Sequence, residues 1–215
     1  MRIFLDTANI QQIKDAVKLG VISGVTTNPS LVSKEDGAYR DLIVKICGLV
    51  PGPVSAEVLG ETAADMVKEA RDIITWAPNI AVKIPATAAG LEATSILSKD
   101  GVKVNFTLCF SLNQALLAAL AGAAYVSPFV GRLDDAGHDG MALVKEIVEV
   151  YDHYKLGTQV IAASIRHTRH CVVAAQVGAH IATIPYAVLT QMLKHPLTDV
   201  GVVRFREDFK ATLKS

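Results

Sequence analysis

The stretch Ile80-Ala81-Val82-Lys83-Ile84-Pro85 is apolar from end to end except for one lysine. On a strand, side chains two apart share a face, so Val82 and Ile84 point one way and Lys83 points the other. A short apolar, β-branched run without clean polar alternation reads as a strand covered on both faces, as in a parallel sheet. The same kind of run recurs at Arg2–Thr7, Gly24–Asn28, Val54–Leu59, Lys103–Leu108, Tyr125–Val130, Gln159–Ser164 and His180–Pro185. Amphipathic helical patterns fill the intervals, among them Gln11–Leu19, Glu61–Thr75, Leu91–Ser98, Ser111–Ala121, Met141–Tyr154, Arg169–Val177 and Tyr186–Leu193. Helix-start signals accompany them: Ser30 after Pro29, Thr62 after Glu61, and Asp139 before Gly140-Met141. Eight strand–helix units in 215 residues leave roughly 27 residues for each.

Alternating strands and helices with no linker and no low-complexity segment predict an α/β fold. Eight units predict a closed (β/α)8 TIM barrel. A doubly wound open sheet is the alternative, and it is weakened because no G-x-G-x-x-G follows the first strand. The expected organisation is one barrel domain over residues 1–215, with 198–215 as a helical extension. In that tail Val202, Val203, Phe205, Phe209 and Leu213 fall at helical spacing among charged residues. Such a helix would cover the parent barrel or a neighbouring subunit.

Composition excludes several classes. Hydrophobic residues make up 51% and charged residues 20%, and 21 Lys+Arg balance 21 Asp+Glu. Disorder requires the opposite balance, and a nucleic-acid partner is not expected without a basic excess. The charge-free interval from Val104 to Gly131 is too polar, and its apolar run Ala115–Val126 too short, for a membrane span. An acid at Asp6 interrupts the N-terminus before any signal-peptide apolar region can form. Cys47, Cys109 and Cys171 are isolated in apolar contexts and read as buried free thiols of a cytoplasmic protein.

In a barrel, catalytic groups gather at the C-terminal ends of the strands. The polar residues interrupting apolar strands there are Asp6, Asn28, Glu57, Lys83, Asn105, Thr107, Ser127 and Ser164. Arg132 and Arg166 follow strands six and seven. A desolvated, inward-facing lysine gives up its proton more readily, and a free amine in a carbonyl-binding pocket is a Schiff-base nucleophile. The pattern fits equally a lysine that pairs with Asp6 or Glu57 and only stabilises the barrel. Asp6 and Glu57 carry the same two readings, as partners to a cation or as proton-transfer groups. Arg132 and Arg166 suit phosphate, which a guanidinium grips bidentately. Asn28 in Asn28-Pro29-Ser30 is either a helix start or a holder of a substrate hydroxyl. His167 and His170 form an H-x-x-H pair with no third ligand at metal spacing, so no metal is expected.

Taken together, Leu5-Asp6-Thr7-Ala8-Asn9, Gly24-Val25-Thr26-Thr27-Asn28-Pro29-Ser30, Val82-Lys83-Ile84-Pro85, Ser127-Pro128-Phe129-Val130-Gly131-Arg132 and Ala162-Ala163-Ser164-Ile165-Arg166 resemble the transaldolase family. The likeness is to its short-chain branch, which also holds the fructose-6-phosphate aldolases, and it runs through the whole chain. It implies a (β/α)8 barrel and a cofactor-free enzyme of sugar-phosphate metabolism in the pentose phosphate pathway. By matching motif it implies that Lys83 is the Schiff-base lysine and Asp6 the acid/base of carbon–carbon cleavage. Glu57 and Thr107 would hold a catalytic water. Asn28, Asn105 and Ser127 would bind donor hydroxyls, with Phe129 beside them, and Arg132, Ser164 and Arg166 would bind phosphate.

Within the family, aldolases typically show Gln, Ala and Tyr where this chain has Glu57, Ser127 and Phe129. Phe129 has no hydroxyl to help protonate and release a bound enamine. The resemblance therefore implies a transaldolase, with a fructose-6-phosphate aldolase as the alternative and a non-catalytic sugar-phosphate-binding barrel as a further one. One departure from the family pattern is Ala86, where a larger residue is common. Membership also implies a homo-oligomer, a pentamer or a decamer of paired rings, with the C-terminal helix reaching onto a neighbour.

Overall fold

The computed structural model describes residues 1–213; Lys214 and Ser215, the last two positions of the predicted tail helix, lie outside the described residues. Eight strands and their helices follow one another along the chain. The first half holds β1 (Arg2–Asp6), α1 (Ile10–Val17), β2 (Ile22–Thr26), α2 (Pro29–Val32), α3 (Tyr39–Cys47), β3 (Val54–Glu57), α4 (Ala63–Ile73), β4 (Ile80–Pro85) and α5 (Ala88–Lys99). The second half holds β5 (Val104–Cys109), α6 (Leu112–Leu120), β6 (Tyr125–Pro128), α7 (Val130–Asp135), α8 (Gly140–Tyr154), β7 (Gln159–Ala162), α9 (Thr168–Gln176), β8 (Ile181–Ile184), α10 (Tyr186–Met192) and α11 (Pro196–Thr212).

The strands are all parallel, each beside the next, and β8 returns to pair with β1, as Arg2 with Ile181 and Leu5 with Ile184. Closure rules out the open doubly wound sheet. The fold is a (β/α)8 TIM barrel with an extra C-terminal helix. Val82, Ile84, Val104 and Val126 face outward into the main core against the helices, as the reading of β4 predicts. A separate cluster of Phe4, Ala81, Tyr125, Ile161 and Ile181 fills the barrel interior towards the N-terminal ends of the strands. Gly24 stands beside Phe4 in the register, and a Cβ there would sit 2.7 Å from the Phe4 ring and 2.6 Å from the Pro53 carbonyl oxygen. The glycine makes room for the aromatic plug.

Side-chain caps start many of the helices. Asn9, Thr62, Thr87, Ser111 and Asp139 each accept from a backbone N–H of the first turn, which would otherwise be unpaired. At α2 the cap is Asn28, not Ser30: its side chain accepts from the Leu31 N–H, and Pro29 takes the first helical position. The expectation of one helix per unit needs correcting in two places, where β2 is followed by α2 and α3, and β6 by α7 and α8. β2 also lies two residues earlier than predicted, because Asn28 is committed to the cap. The tail helix starts at Pro196 and buries none of its residues; Leu197, Val200, Phe205, Phe209 and Leu213 are exposed. No helix among the described residues is long and apolar enough to cross a membrane.

Candidate active site

The strand register decides which side chains meet. Glu57 of β3 lies beside Lys83 of β4, and Lys83 beside Asn105 of β5. Residues in register on parallel strands face the same side, so these three stand in a row inside the barrel. Lys83 is buried, and its Nζ donates to Glu57 Oε2 at 2.9 Å and to the Thr27 carbonyl at 3.2 Å. Asp6 pairs in register with Thr26, whose hydroxyl donates to Asp6 Oδ1 at 2.7 Å and also meets the Thr183 hydroxyl of β8. Burial pushes the Asp6 carboxyl above the usual carboxylate range, while the Thr26 hydrogen bond and the Lys83 charge hold it down in part.

Behind the lysine runs a buried polar belt. Ser127 Oγ donates to Asn105 Oδ1 at 2.7 Å, and Asn105 Nδ2 donates to Ser55 Oγ at 3.0 Å. This pairing leaves the Asn105 amide with its orientation fixed, as a buried polar group requires. Thr107 contrasts with it. Its Oγ1 is the one buried side-chain oxygen or nitrogen without a hydrogen-bond partner among the described residues. A buried hydroxyl without a partner among the described residues can take one from outside the protein.

A cavity of about 240 Å³ opens above this floor. Lys83, Asp6, Asn28, Ser127, Phe129, Arg132, Ser164 and Arg166 line it, together with Thr26 and Thr183. Glu57, Asn105 and Thr107 do not line it; they stand behind Lys83 and Ser127, with Glu57 bordering a separate apolar cavity beside Tyr39. Asn28 serves its helix cap through Oδ1, and its amide nitrogen makes no hydrogen bond among the described residues. The helix-start reading of Asn28 therefore holds, and the residue lines the cavity with an amide nitrogen that has no partner among the described residues.

The cationic wall belongs to α7 and to the loop after β7. Arg132 stands 5.0 Å from the centre of the Phe129 ring, and Arg166 pairs with Asp135 at 2.7 Å. The Gly131 N–H donates to the Ser164 carbonyl at 3.0 Å, and Ser164 adopts the left-handed φ of 57°. A Cβ on Gly131 would come within 2.3 Å of that carbonyl and 2.5 Å of Arg166 Nε. Only glycine lets α7 approach this loop so closely. The H-x-x-H histidines stack with ring centres 3.8 Å apart. His170 contacts Asp134 at 3.0 Å through Nε2 and accepts the Arg166 N–H at 3.3 Å through Nδ1. Burial, then the neighbouring His167, pushes the His170 pKa down.

This arrangement has close relatives. Residues 3–215 match the model of the family described as transaldolase/fructose-6-phosphate aldolase. The chain belongs to that transaldolase/fructose-6-phosphate aldolase family. A protein described as a probable transaldolase from Dehalococcoides mccartyi is 64% identical over 216 aligned residues, covering 100% of both chains. Others so described, from Heliobacterium modesticaldum and Methanococcus maripaludis, are 56% and 54% identical, each over 98% of both chains. Among solved structures, thiamine phosphate pyrophosphorylase from Pyrococcus furiosus superposes with a TM-score of 0.61 at 14% identity, over 87% of this chain and 86% of that one. That likeness concerns the fold alone. As a member of the transaldolase/fructose-6-phosphate aldolase family the protein is an enzyme. Three participants in this family member's site escaped the sequence reading: Thr26, Thr183 and Ser55, threonines and a serine that look ordinary in a strand.

Proposed function

We propose that this enzyme is a transaldolase that moves a dihydroxyacetone unit between sugar phosphates through a Schiff base on Lys83. The observation that carries the reading is a buried strand amine at the floor of a cavity, held between a carboxylate and a carbonyl, with the Asp6 carboxyl on the same wall. Lys83 passes a proton to Glu57, and its nitrogen lone pair attacks the C2 ketone of sedoheptulose 7-phosphate or fructose 6-phosphate. The carbinolamine loses its hydroxyl as water and leaves an iminium, which serves as an electron sink. Asp6 takes the C4 hydroxyl proton, and the C3–C4 bond breaks. Its electron pair enters the iminium to give a neutral enamine, and the aldose phosphate departs as the aldehyde.

The enamine then adds to the acceptor aldehyde, glyceraldehyde 3-phosphate or erythrose 4-phosphate. Asp6 returns its proton to the new alkoxide, and water hydrolyses the regenerated iminium. Thr107, with its hydroxyl unpartnered, and Glu57 suit the water that carries protons through carbinolamine formation and breakdown. Arg132 of α7, with Ser164 and Arg166 of the loop after β7, suits the phosphate. Asn28 and Ser127, which line the cavity, suit the donor hydroxyls, and Asn105 behind them orients Ser127 through its hydrogen bond.

The second reading is a fructose-6-phosphate aldolase that releases free dihydroxyacetone. Phe129, a cavity wall without a hydroxyl, favours transfer, because nothing at that position can protonate the enamine. The deciding experiment supplies fructose 6-phosphate with and without erythrose 4-phosphate. Turnover that depends on the acceptor supports the transferase, and rapid turnover without it overturns the reading. We also propose a cytoplasmic homo-oligomer, a pentamer or decamer, in which α11 covers a neighbour. Its support is the exposed apolar side chains of Leu197, Phe205, Phe209 and Leu213 and the three buried free cysteines.

A further inference from the structure

The top of the barrel has a gap between β2 and β3, and a side chain fills it. β2 and β3 pair over only two positions, Val25 with Val54 and Thr26 with Ser55. The Thr27 N–H donates to the Ser55 carbonyl at 3.2 Å, and in a continuing parallel ladder the Thr27 carbonyl would next accept the Glu57 N–H. It does not. That carbonyl turns to Lys83 Nζ instead. The Val58 N–H donates to the Lys83 carbonyl on the β4 side, so the Glu57 N–H and C=O face the gap. The Tyr39 phenol, from the first residue of α3, meets both: it accepts the Glu57 N–H at 2.9 Å and donates to the Glu57 carbonyl at 3.2 Å. Its ring rests edge-on against Trp76, with centroids 5.6 Å apart, and burial pushes its pKa up to about 12, so the phenol keeps its proton.

We infer that Tyr39 is a positioning residue for the Glu57–Lys83 pair, its phenol standing in for the strand carbonyl that Lys83 has drawn away. The hydroxyl fixes the Glu57 backbone in register with Lys83 while leaving the Thr27 carbonyl free to hold the amine. Tyr39 touches no reacting atom; it acts through Glu57. The inference rests on the proposed roles of Lys83 and Glu57 in imine formation.

The test is a double-mutant cycle of Tyr39→Phe and Glu57→Gln, with kcat taken per folded protein and the yield of Lys83 trapped by borohydride in the presence of fructose 6-phosphate read alongside. Phenylalanine keeps the ring on Trp76 and removes only the hydroxyl. Tyr39→Phe should lower kcat about tenfold with the donor KM little changed, the loss expected of one interaction. In the Glu57→Gln background the same change should cost less than about twofold, because coupled residues are not additive. An equal cost in both backgrounds marks a merely structural residue and overturns the inference, as does an unchanged kcat in Tyr39→Phe. If the unsubstituted protein gives no Lys83 adduct, or Glu57→Gln turns over at the parent rate, the reading of the site itself fails first. Amide exchange of Glu57 in the unsubstituted protein needs no variant. Slow exchange is expected of an amide held by the phenol, and exchange as fast as that of an open loop overturns the clasp.

Discussion

Asp6 and Lys83 share a cavity but meet different partners. Lys83 donates to the Glu57 carboxylate, whereas Asp6 is shifted chiefly by its burial and accepts from the Thr26 hydroxyl. Replacing Thr26 with Val removes a hydrogen bond that favours the carboxylate. The Asp6 pKa should then rise further, and the acidic limb of the kcat/KM profile should move to higher pH. A limb that stays in place would mean that another group supplies the base. Asp6→Asn should lower transfer by about 10²- to 10⁴-fold, the range of a general acid–base group. It should also raise thermal stability near neutral pH. Because burial raises the folded-state pKa, the protonated form is the stabilised one; its contribution is full below the unfolded pKa and fades as pH climbs through the folded value. The melting advantage of Asp6→Asn should therefore shrink as the pH is lowered, which melts at two pH values will show. At this scale the sequence exposes what interrupts an apolar strand, Lys83 and Asp6 above all. It hides Thr26 and Thr183, because threonine is at home in strands, and Tyr39, because its partners are backbone atoms brought close only by folding.

At the scale of elements, the eight strands were readable because each is a continuous apolar run, whereas α2 and α7, of four and six residues, are too short for a hydrophobic period to register. The end of β2 differs from the expected one for a related reason: Thr27 favours strand by composition, but its carbonyl belongs to Lys83 and the next residue caps a helix. The close approach of α7 to the loop after β7 yields a prediction of its own. Gly131→Ala must displace the Ser164 carbonyl or Arg166, both under 3.0 Å from the new Cβ. The KM for phosphorylated donors should rise about tenfold, consistent with the loss of one charge-assisted contact. Borohydride trapping of free dihydroxyacetone on Lys83 should stay near the parent level. An equal loss with both ligands would show that the glycine supports the barrel as a whole and not its cationic wall.

Closure of the barrel brings residues from strands far apart in the chain to one floor, and no local pattern could show which of them touch. The register Glu57–Lys83–Asn105 joins neighbouring strands, but the meeting of Thr26 with Thr183 exists only once β8 has met β1. The helix α11 buries none of its described residues and turns large apolar side chains to solvent. Removing residues 197–215 should give a smaller species by light scattering; an unchanged assembly would remove α11 from the interface. The proposed chemistry runs through one amine, that of Lys83. Incubation with fructose 6-phosphate and borohydride, followed by peptide mass mapping, should place a reduced dihydroxyacetone adduct on Lys83 alone. No adduct, or one on another lysine, would overturn the Schiff-base assignment.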